Sequence, residues 1–315
     1  MRNREMKRMR TMLKRLSGHQ RKVLAADLTA IEMQPAAVAV VESHAAPQAC
    51  PHCSAERVVK NGTSGGYQRF LCRGCGKTFN VLTGTPLAHL HKRGRWLDHS
   101  AALTEGLTLH AVSERVGIAV STAHRWRHRF LEAAKSAKAQ ALTGIAEADE
   151  TYFLRSAKGQ RRGLNRPARQ RGGTAGKRGL SDEQVPVLVA RDRSGETADF
   201  ILDADTSDCA SAVLKPIMAK DAILCTESNS VMMATARKLK VEHRPVNVSS
   251  GVRVDGAWHV QNVNSYHARL KEWMRRFKGV ATKYLAAYLG WFRALDRSPA
   301  GSPKPAQWLA MAVTR

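Results

Sequence analysis

The alternation of apolar and polar residues changes in period partway along the chain. From Trp96 to about Lys138, apolar residues recur every three to four positions, which predicts helices. From Gly144 onward, short apolar runs typical of β-strands appear, with helical stretches after them. The predicted strands are 145–153, 185–191, 199–202 and 222–225, and the predicted helices are 208–219, 230–239, 262–277 and 284–295. Strands first and strand–helix alternation later predict an α/β domain with a mixed sheet over 144–297.

The net charge of the chain indicates which kinds of partner it binds. The chain has 51 Lys and Arg against 26 Asp and Glu, so its formal net charge is +25, which indicates a polyanionic partner, either nucleic acid or an anionic membrane surface. Apolar residues make up 43% of the sequence, which argues for a folded protein rather than a disordered basic tail. No uninterrupted run of about 18 apolar residues occurs, so we expect no membrane contact, and a cytoplasmic nucleic-acid-binding protein is favoured.

Three segments flank or interrupt the predicted domains. Residues 1–46 are interpreted as a basic segment and a linker: 1–22 hold nine Lys or Arg, either as a helix on phosphates or as a solvated end, and 34–49 are rich in Ala and Pro. Between the first two predicted strands, 155–178 hold another nine Lys or Arg among glycines, which predicts a flexible basic loop that contacts DNA through Arg161 and Arg162. Residues 298–315 are expected to be a tail.

Four cysteines form two CxxC pairs within residues 47–85. Eighteen residues separate the pair Cys50 and Cys53 from the pair Cys72 and Cys75, and the segment between them has the pattern of a hairpin. Two such knuckles supply four thiolates for a tetrahedral Zn²⁺, so we predict a zinc ribbon with a structural metal. Redox-active pairs are the alternative interpretation.

Residues 95–140 have the pattern of a helix-turn-helix. A first helix is expected to end at Val116–Gly117, and Ser121 or Thr122 is expected to cap the second. The second helix carries a dense set of basic and histidine residues that we predict to contact DNA, namely Arg125, Arg127, His128 and Arg129. An ordinary helical hairpin with a charged face is the alternative.

Three carboxylates begin the first strand of the α/β domain. On a strand, Glu147 and Asp149 point to one face and Glu150 to the other. Alone, such a pattern is equally typical of a solvent-exposed face. However, the strand 222–225 is followed by a further carboxylate, Glu227.

The late helix adds two more polar residues. Asn264 and Lys271 are seven positions apart, which places them on one helical face. Oxygen ligands contributed by separate elements of a basic protein are what Mg²⁺ requires when it acts on phosphodiesters.

These motifs together resemble bacterial insertion-sequence transposases with an N-terminal zinc ribbon and an RNase-H-like catalytic domain, in the ISXO2-like subgroup whose catalytic set is Asp, Asp, Asn and Lys. The resemblance extends from about 47 to 297 and rests on the four cysteines, on Ala-Asp-Glu-Thr-Tyr-Phe at 148–153, and on the stretch from His259 to Lys271. It implies that Asp149 is the first metal ligand, that Asn264 is the third, and that Lys271 contacts a phosphate.

The resemblance also implies partners and chemistry. The expected metals are structural Zn²⁺ and catalytic Mg²⁺ or Mn²⁺. The expected partners are double-stranded DNA, as terminal inverted repeats and target, and further copies of the chain in a homo-oligomer. The expected location is the bacterial cytoplasm, in association with the nucleoid.

The second acidic position departs from the family pattern. Where that pattern is similar to Cys-Ser-Asp-Gly, this chain has Cys225-Thr226-Glu227-Ser228. Glutamate keeps the charge but adds one methylene, a misplacement of about one ångström that can cost on the order of 100-fold in rate. Two alternatives therefore stay open, a catalytically impaired copy that only binds DNA and a nuclease that only hydrolyses it.

Overall fold

The computed structural model describes residues 3–44, 49–160, 162–163, 173, 175–176, 181–247, 250–251, 253–297 and 303–314. They form two compact units, one made of 1–133 with 302–315 and the other of 134–301. The helices, numbered in chain order, are α1 (Asn3–Arg15), α2 (Gly18–His44), α3 (Trp96–Thr104), α4 (Leu109–Val116), α5 (Val120–Phe130), α6 (Ser207–Leu214), α7 (Ser230–Leu239), α8 (Gln261–Arg275), α9 (Leu285–Asp296) and α10 (Pro305–Ala312). The strands are β1 (Val58–Ser64), β2 (Tyr67–Cys72), β3 (Thr78–Asn80), β4 (Ile145–Leu154), β5 (Gln184–Asp192), β6 (Thr197–Ile201), β7 (Ile223–Glu227) and β8 (Glu242–Val246).

Helix α2 overturns the predicted linker of 34–49 as far as residue 44, and 45–48 lie outside the described residues. It continues through Pro35 to His44, because the alanines that follow the proline are strong helix formers and the helix packs against the rest of its unit. Ala37 and Val41 are fully buried, and the Glu42 carboxylate accepts a hydrogen bond of 2.9 Å from the backbone amide of Gln68. Tertiary contacts thus offset the amide donor that Pro35 lacks.

Helix α2 is also long and apolar enough to cross a membrane, judged by length and composition alone. Core helices of soluble proteins and N-terminal signal sequences share these two properties. Its Asp27 pairs with the largely buried Arg95 of the same unit.

The prediction of a C-terminal tail at 298–315 is wrong for the second half of that range. Residues 305–312 form α10, which packs against α2, α3 and α5 of the first unit. Trp308, Leu309 and Ala312 are fully buried there, and the Thr104 hydroxyl donates a 2.6 Å hydrogen bond to the carbonyl of Pro303. A single buried tryptophan removes enough apolar surface from water to hold a short terminal helix in place.

The second unit contains a five-stranded sheet in the order β6-β5-β4-β7-β8. Strands β4, β5 and β6 pair antiparallel, whereas β7 lies parallel to both β4 and β8. Helices α6 and α7 cover one face with an apolar cluster that includes Ala146 and Ala148 of β4. Helix α8 lies on the opposite face, where it contacts Glu147. This order is the RNase-H-like arrangement, and the predicted fold class is confirmed.

The four predicted strands of this unit agree with the structure to within two residues at each end. The edge strand β8 was missed, because its sequence, Glu-His-Arg-Pro-Val, is mostly exposed and contains a proline, as edge strands often do. The helix predicted over 208–219 ends at Leu214 instead, since Pro216 cannot continue it.

Candidate functional site

The four cysteines meet at one point of the three-stranded ribbon formed by β1, β2 and β3. Their sulfur atoms all lie within 4.8 Å of one another. The Sγ atoms of Cys50 and Cys75 are 3.7 Å apart, and those of Cys53 and Cys72 are 3.6 Å apart. A tetrahedron with Zn–S bonds of about 2.3 Å has sulfur atoms about 3.8 Å apart, so the donor set fits zinc. Hydrogen bonds from the backbone amides of Cys75 and Gly74 lower the pKa of Cys72 to about 7, which favours the thiolate that a metal binds.

The turn of the helix-turn-helix lies where the sequence predicts it. Helix α4 ends at Val116, and Gly117 has a φ of 65°, a backbone conformation that glycine adopts without a steric penalty. The predicted cap at Ser121 or Thr122 is wrong, because α5 already begins at Val120 and its N-cap is Ala119, which provides no side-chain hydrogen bond.

The predicted DNA-contacting residues of α5 divide into two groups. Arg125 and Arg129 are exposed and lie one helical turn apart, and His128 is partly exposed beside His124. Arg127 is buried, and its guanidinium donates a 2.6 Å hydrogen bond to the carbonyl of Leu107. The prediction that Arg127 contacts DNA is therefore wrong, since the helical period turns it inward beside Trp126.

The basic loop is described only in part. Arg162 is exposed, and its carbonyl accepts a 3.0 Å hydrogen bond from the side chain of Gln160. Arg161 lies outside the described residues, so its predicted role in DNA binding stays a prediction.

Asp149 and Glu227 stand at the same level on adjacent parallel strands. Strand β4 pairs with β7 so that Glu147 lies opposite Cys225, and each carboxylate follows two residues later. Burial raises the pKa of Glu227, the negative charge of Asp149 raises it further, and a hydrogen bond from Asn264 opposes both effects. The strand pairing and helix α8 thereby bring Asp149, Glu227 and Asn264 together.

Two residues of α8 extend this cluster in different ways. The Nδ1 atom of His267 is 3.5 Å from Oδ2 of Asp149, and His267 is buried. Lys271 is exposed two turns after Asn264, and within the described part of the chain it makes no hydrogen bond or ion pair. The structure thus places Lys271 on the same helix as Asn264 but not in contact with the carboxylates.

Glu147 has a partner set of its own. Its side chain is 0% exposed, and its carboxylate accepts hydrogen bonds from Asn262 Nδ2 at 2.8 Å and from the Val263 backbone amide at 2.9 Å. Arg193 pairs with it at 2.9 Å, and His259 Nδ1 lies 3.4 Å away. The N-cap position of α8, Val260, has no capping side chain, so Glu147 satisfies donors at that helix end. In the sequence, Glu147 is only a carboxylate between Ala146 and Ala148. That pattern does not reveal that it binds the start of α8.

Glu150 faces the opposite side of the sheet from Asp149, as the strand alternation predicts. Burial, with added repulsion from Asp149 and Asp205, raises the pKa of Glu150 to about 7. On the same side, the Tyr152 hydroxyl donates a 2.8 Å hydrogen bond to Asp205. These groups were not singled out from the sequence as a cluster, because Asp205 lies in a loop far along the chain.

Models of two known protein families match the chain. Residues 141–293 match the model described as the ISXO2-like transposase domain, and 92–136 match a homeodomain-like helix-turn-helix domain. Residues 141–293 form an ISXO2-like transposase domain. The protein functions as a transposase that binds DNA through its helix-turn-helix, as the sequence predicts. Within these matches lie the cluster of Asp149, Glu227 and Asn264, and helices α3 to α5.

The chain is also similar to individual proteins. The transposase is 27% identical over 248 residues to a protein described as uncharacterized in transposable element ISH50 of Halobacterium salinarum, a match that covers 78% of this chain and 83% of the relative. Among solved structures, the Mos1 transposase paired-end complex with the left transposon end is 14% identical with a TM-score of 0.28, and covers 69% of this chain and 74% of that chain. The simian T-cell lymphotropic virus intasome in complex with PP2A regulatory subunit B56 gamma is 11% identical with a TM-score of 0.29, over 67% of this chain and 73% of that chain.

Proposed function

We propose that this transposase cleaves and joins DNA by metal-dependent phosphoryl transfer at the cluster of Asp149, Glu227 and Asn264. The supporting observation is that Asp149 and Glu227 lie at the same level on adjacent parallel strands, and Asn264 is near enough to lower the pKa of Glu227. Carboxylate and amide oxygens from three separate elements are the donors that Mg²⁺ or Mn²⁺ takes in enzymes that act on phosphodiesters.

The electrostatics of the cluster fit a cation. Asp149 raises the pKa of Glu227, so the two negative charges repel each other in the protein alone. A divalent cation held by Asp149 and Glu227 would relieve that repulsion. When bound, such ions activate the attacking oxygen and stabilise the leaving oxygen.

The side chains of the protein have separate tasks in this proposal. Asp149 and Glu227 provide the negative charge that holds the cations, and Asn264, which lies near Glu227, provides a neutral amide oxygen as the third ligand. Lys271 is exposed on α8, and we propose that it contacts a DNA phosphate near the cluster. Arg125 and Arg129, together with His128, contact the terminal inverted repeats from α5, and zinc holds the ribbon together.

The expected oligomeric state and cellular location follow from the resemblance and from the DNA substrate. Transposases of this type act on two DNA ends at once, so we expect a homo-oligomer on DNA. Because the substrate is the genome, we place the protein in the bacterial cytoplasm with the nucleoid.

A second candidate function is DNA binding without cleavage. The observation that favours it is Glu227 itself, whose extra methylene compared with aspartate moves the carboxylate by about one ångström. A hydrolytic nuclease would use the same residues, and only the joining step separates it from a transposase.

The proposal is tested with a labelled oligonucleotide of the element's own end, incubated with the full-length protein and Mn²⁺. Strand cleavage followed by joining to a second DNA supports transposition, whereas cleavage alone indicates a nuclease. Asp149→Ala is expected to abolish cleavage and to leave binding of the same oligonucleotide unchanged. If the wild-type protein and Glu227→Asp both fail to cut at any Mn²⁺ concentration while they still bind the DNA, the chain is a DNA-binding protein.

A further inference from the structure

The deepest carboxylate of β4 belongs to Glu147, not to Asp149. The Glu147 side chain is 0% exposed, whereas that of Asp149 is 16% exposed. Burying a charge is costly unless hydrogen bonds and opposite charge compensate for it. Here two hydrogen bonds from the start of α8 and an ion pair with Arg193 provide that compensation.

The partners of Glu147 are adjacent in sequence to a residue of the proposed catalytic cluster. Glu147 binds Asn262 and Val263, and the next residue along α8 is Asn264. On the other side of the contact, Glu147 lies two residues before Asp149 on β4. One buried carboxylate therefore links the strand that carries Asp149 to the helix turn that carries Asn264.

Arg193 completes the arrangement from the loop after β5. Its guanidinium pairs with Glu147 and also donates a 2.9 Å hydrogen bond to the carbonyl of Ala257, just ahead of α8. It further contacts the ring of His259, at 2.7 Å from Nε2. Arg193 thus compensates the buried charge and holds the segment that leads into α8.

We propose that Glu147 is a positioning residue that fixes the first turn of α8, so that Asn264 meets Glu227 and Asp149 in register. Glu147 itself touches neither DNA nor the proposed metal. This inference rests on the proposed function. Removal of a group that hydrogen-bonds and orients metal ligands typically lowers metal affinity or activity by about 10- to 100-fold.

The test uses the full-length protein and compares Glu147→Ala and Glu147→Gln with the wild type. The matched control is Glu242→Gln, which removes an exposed carboxylate from the edge strand β8. Three quantities are measured: the maximal cleavage rate, the Mn²⁺ concentration that gives half of it, and the backbone amide exchange of residues 261–270. DNA binding and thermal unfolding are recorded in parallel. If the wild type cuts too slowly, all variants are made in Glu227→Asp.

Glu147→Ala is expected to lower the maximal rate by about 100-fold, to raise the half-maximal Mn²⁺ concentration by about tenfold, and to speed amide exchange at the start of α8. Glu147→Gln retains an oxygen that can accept the hydrogen bond from the Val263 backbone amide. Its maximal cleavage rate is therefore expected to stay within about tenfold of the wild-type rate. Glu242→Gln should change none of the three quantities. If Glu147→Ala does not fold, Glu147→Gln is measured instead, and slower cleavage by Glu147→Gln without faster amide exchange in α8 overturns the proposal.

Two results would overturn the proposal. One is cleavage by Glu147→Ala at the wild-type rate and Mn²⁺ requirement. The other is lost cleavage with unchanged amide exchange in α8, since that would give Glu147 a role other than positioning. If no variant and no parent protein cleaves, the proposed function fails instead, and the exchange data still report whether Glu147 holds the helix.

Discussion

Asn264 lies close enough to Glu227 to lower the pKa of the Glu227 carboxyl. This contact joins the first turns of helix α8 to the end of strand β7, two elements that are more than thirty residues apart in sequence. The glutamate side chain thus lies beside Asn264. The family pattern nevertheless has aspartate at this position, so the length of the side chain is the property to test.

Shortening Glu227 tests that property directly. We expect Glu227→Asp to cut the element's end faster than the wild type, because a misplacement of about one ångström can cost on the order of 100-fold. Glu227→Ala should not cut, and all three proteins should bind the same DNA equally. Cleavage is measured on a labelled duplex with Mn²⁺. A slower Glu227→Asp would mean that the surrounding cluster is built for glutamate.

Substitutions of two arginines on α5 are expected to have different effects, one on DNA binding and the other on stability. Arg125 is exposed, so Arg125→Ala should weaken DNA binding and reduce the slope of log affinity against log salt by about 1. Arg127 is buried against the carbonyl of Leu107, so Arg127→Ala should lower the free energy of unfolding by about 1–3 kcal/mol. Fluorescence anisotropy at several salt concentrations, with thermal denaturation of the same samples, separates the two effects. Equal loss of binding and equal stability for both variants would contradict the burial of Arg127.

Metal removal should unfold the ribbon selectively. The three short strands have a small apolar cluster that includes Cys50, Cys72 and Phe79, so a metal bound by the four proposed cysteine ligands would supply much of the stability. We expect a strong chelator, or Cys72→Ser, to release zinc and make the ribbon sensitive to protease. Cys209→Ser serves as the control, because Cys209 lies on α6 outside the cluster. The zinc content of the purified protein is measured by atomic absorption, and a chelator-resistant ribbon without zinc would contradict the assignment.

His99 is expected to make the first unit sensitive to acid. Burial, with a smaller effect from Arg127, lowers the pKa of His99 from 6.5 to about 3. Its ring packs edge-on against Trp126 and Phe130, with centroids 5.4 and 4.8 Å away, and neither ring nitrogen has a hydrogen-bond partner among the described residues. Between these pH values the unfolded chain binds the proton that the folded chain excludes. Stability is therefore fully present above pH 6.5 and falls on acidification, by up to about 1.4 kcal/mol per pH unit.

The matching experiment compares thermal unfolding of the wild type and His99→Phe from pH 7.5 down to pH 4. The phenylalanine variant, which has a ring of similar shape and no titrating group, should lose less stability over this range. His110→Gln, a change at an exposed helix position, should behave like the wild type. Parallel pH curves for the wild type and His99→Phe would contradict the lowered pKa.

The sequence by itself determined the features that depend on local spacing. Two CxxC pairs separated by a hairpin pattern predicted the cysteine cluster, because a knuckle is formed by adjacent residues. Gly117 predicted the turn of the helix-turn-helix, because only the local backbone decides whether positive φ is needed. Apolar runs predicted four strands of the sheet, and their order with the later helices predicted the α/β class.

Tertiary structure alone decided which polar groups meet and which are buried. Glu147 and Asp149 have the same chemistry and point to the same strand face, but only packing against α8 separates a helix-binding carboxylate from one near Glu227. Arg127 and Arg125 are two residues apart on one basic helix, and only the packing of α5 buries the first. Helix α10 and the second half of helix α2 pack against other parts of their unit. Each of these outcomes depends on contacts between residues far apart in the chain, and a linear pattern of residue types contains no direct record of such contacts.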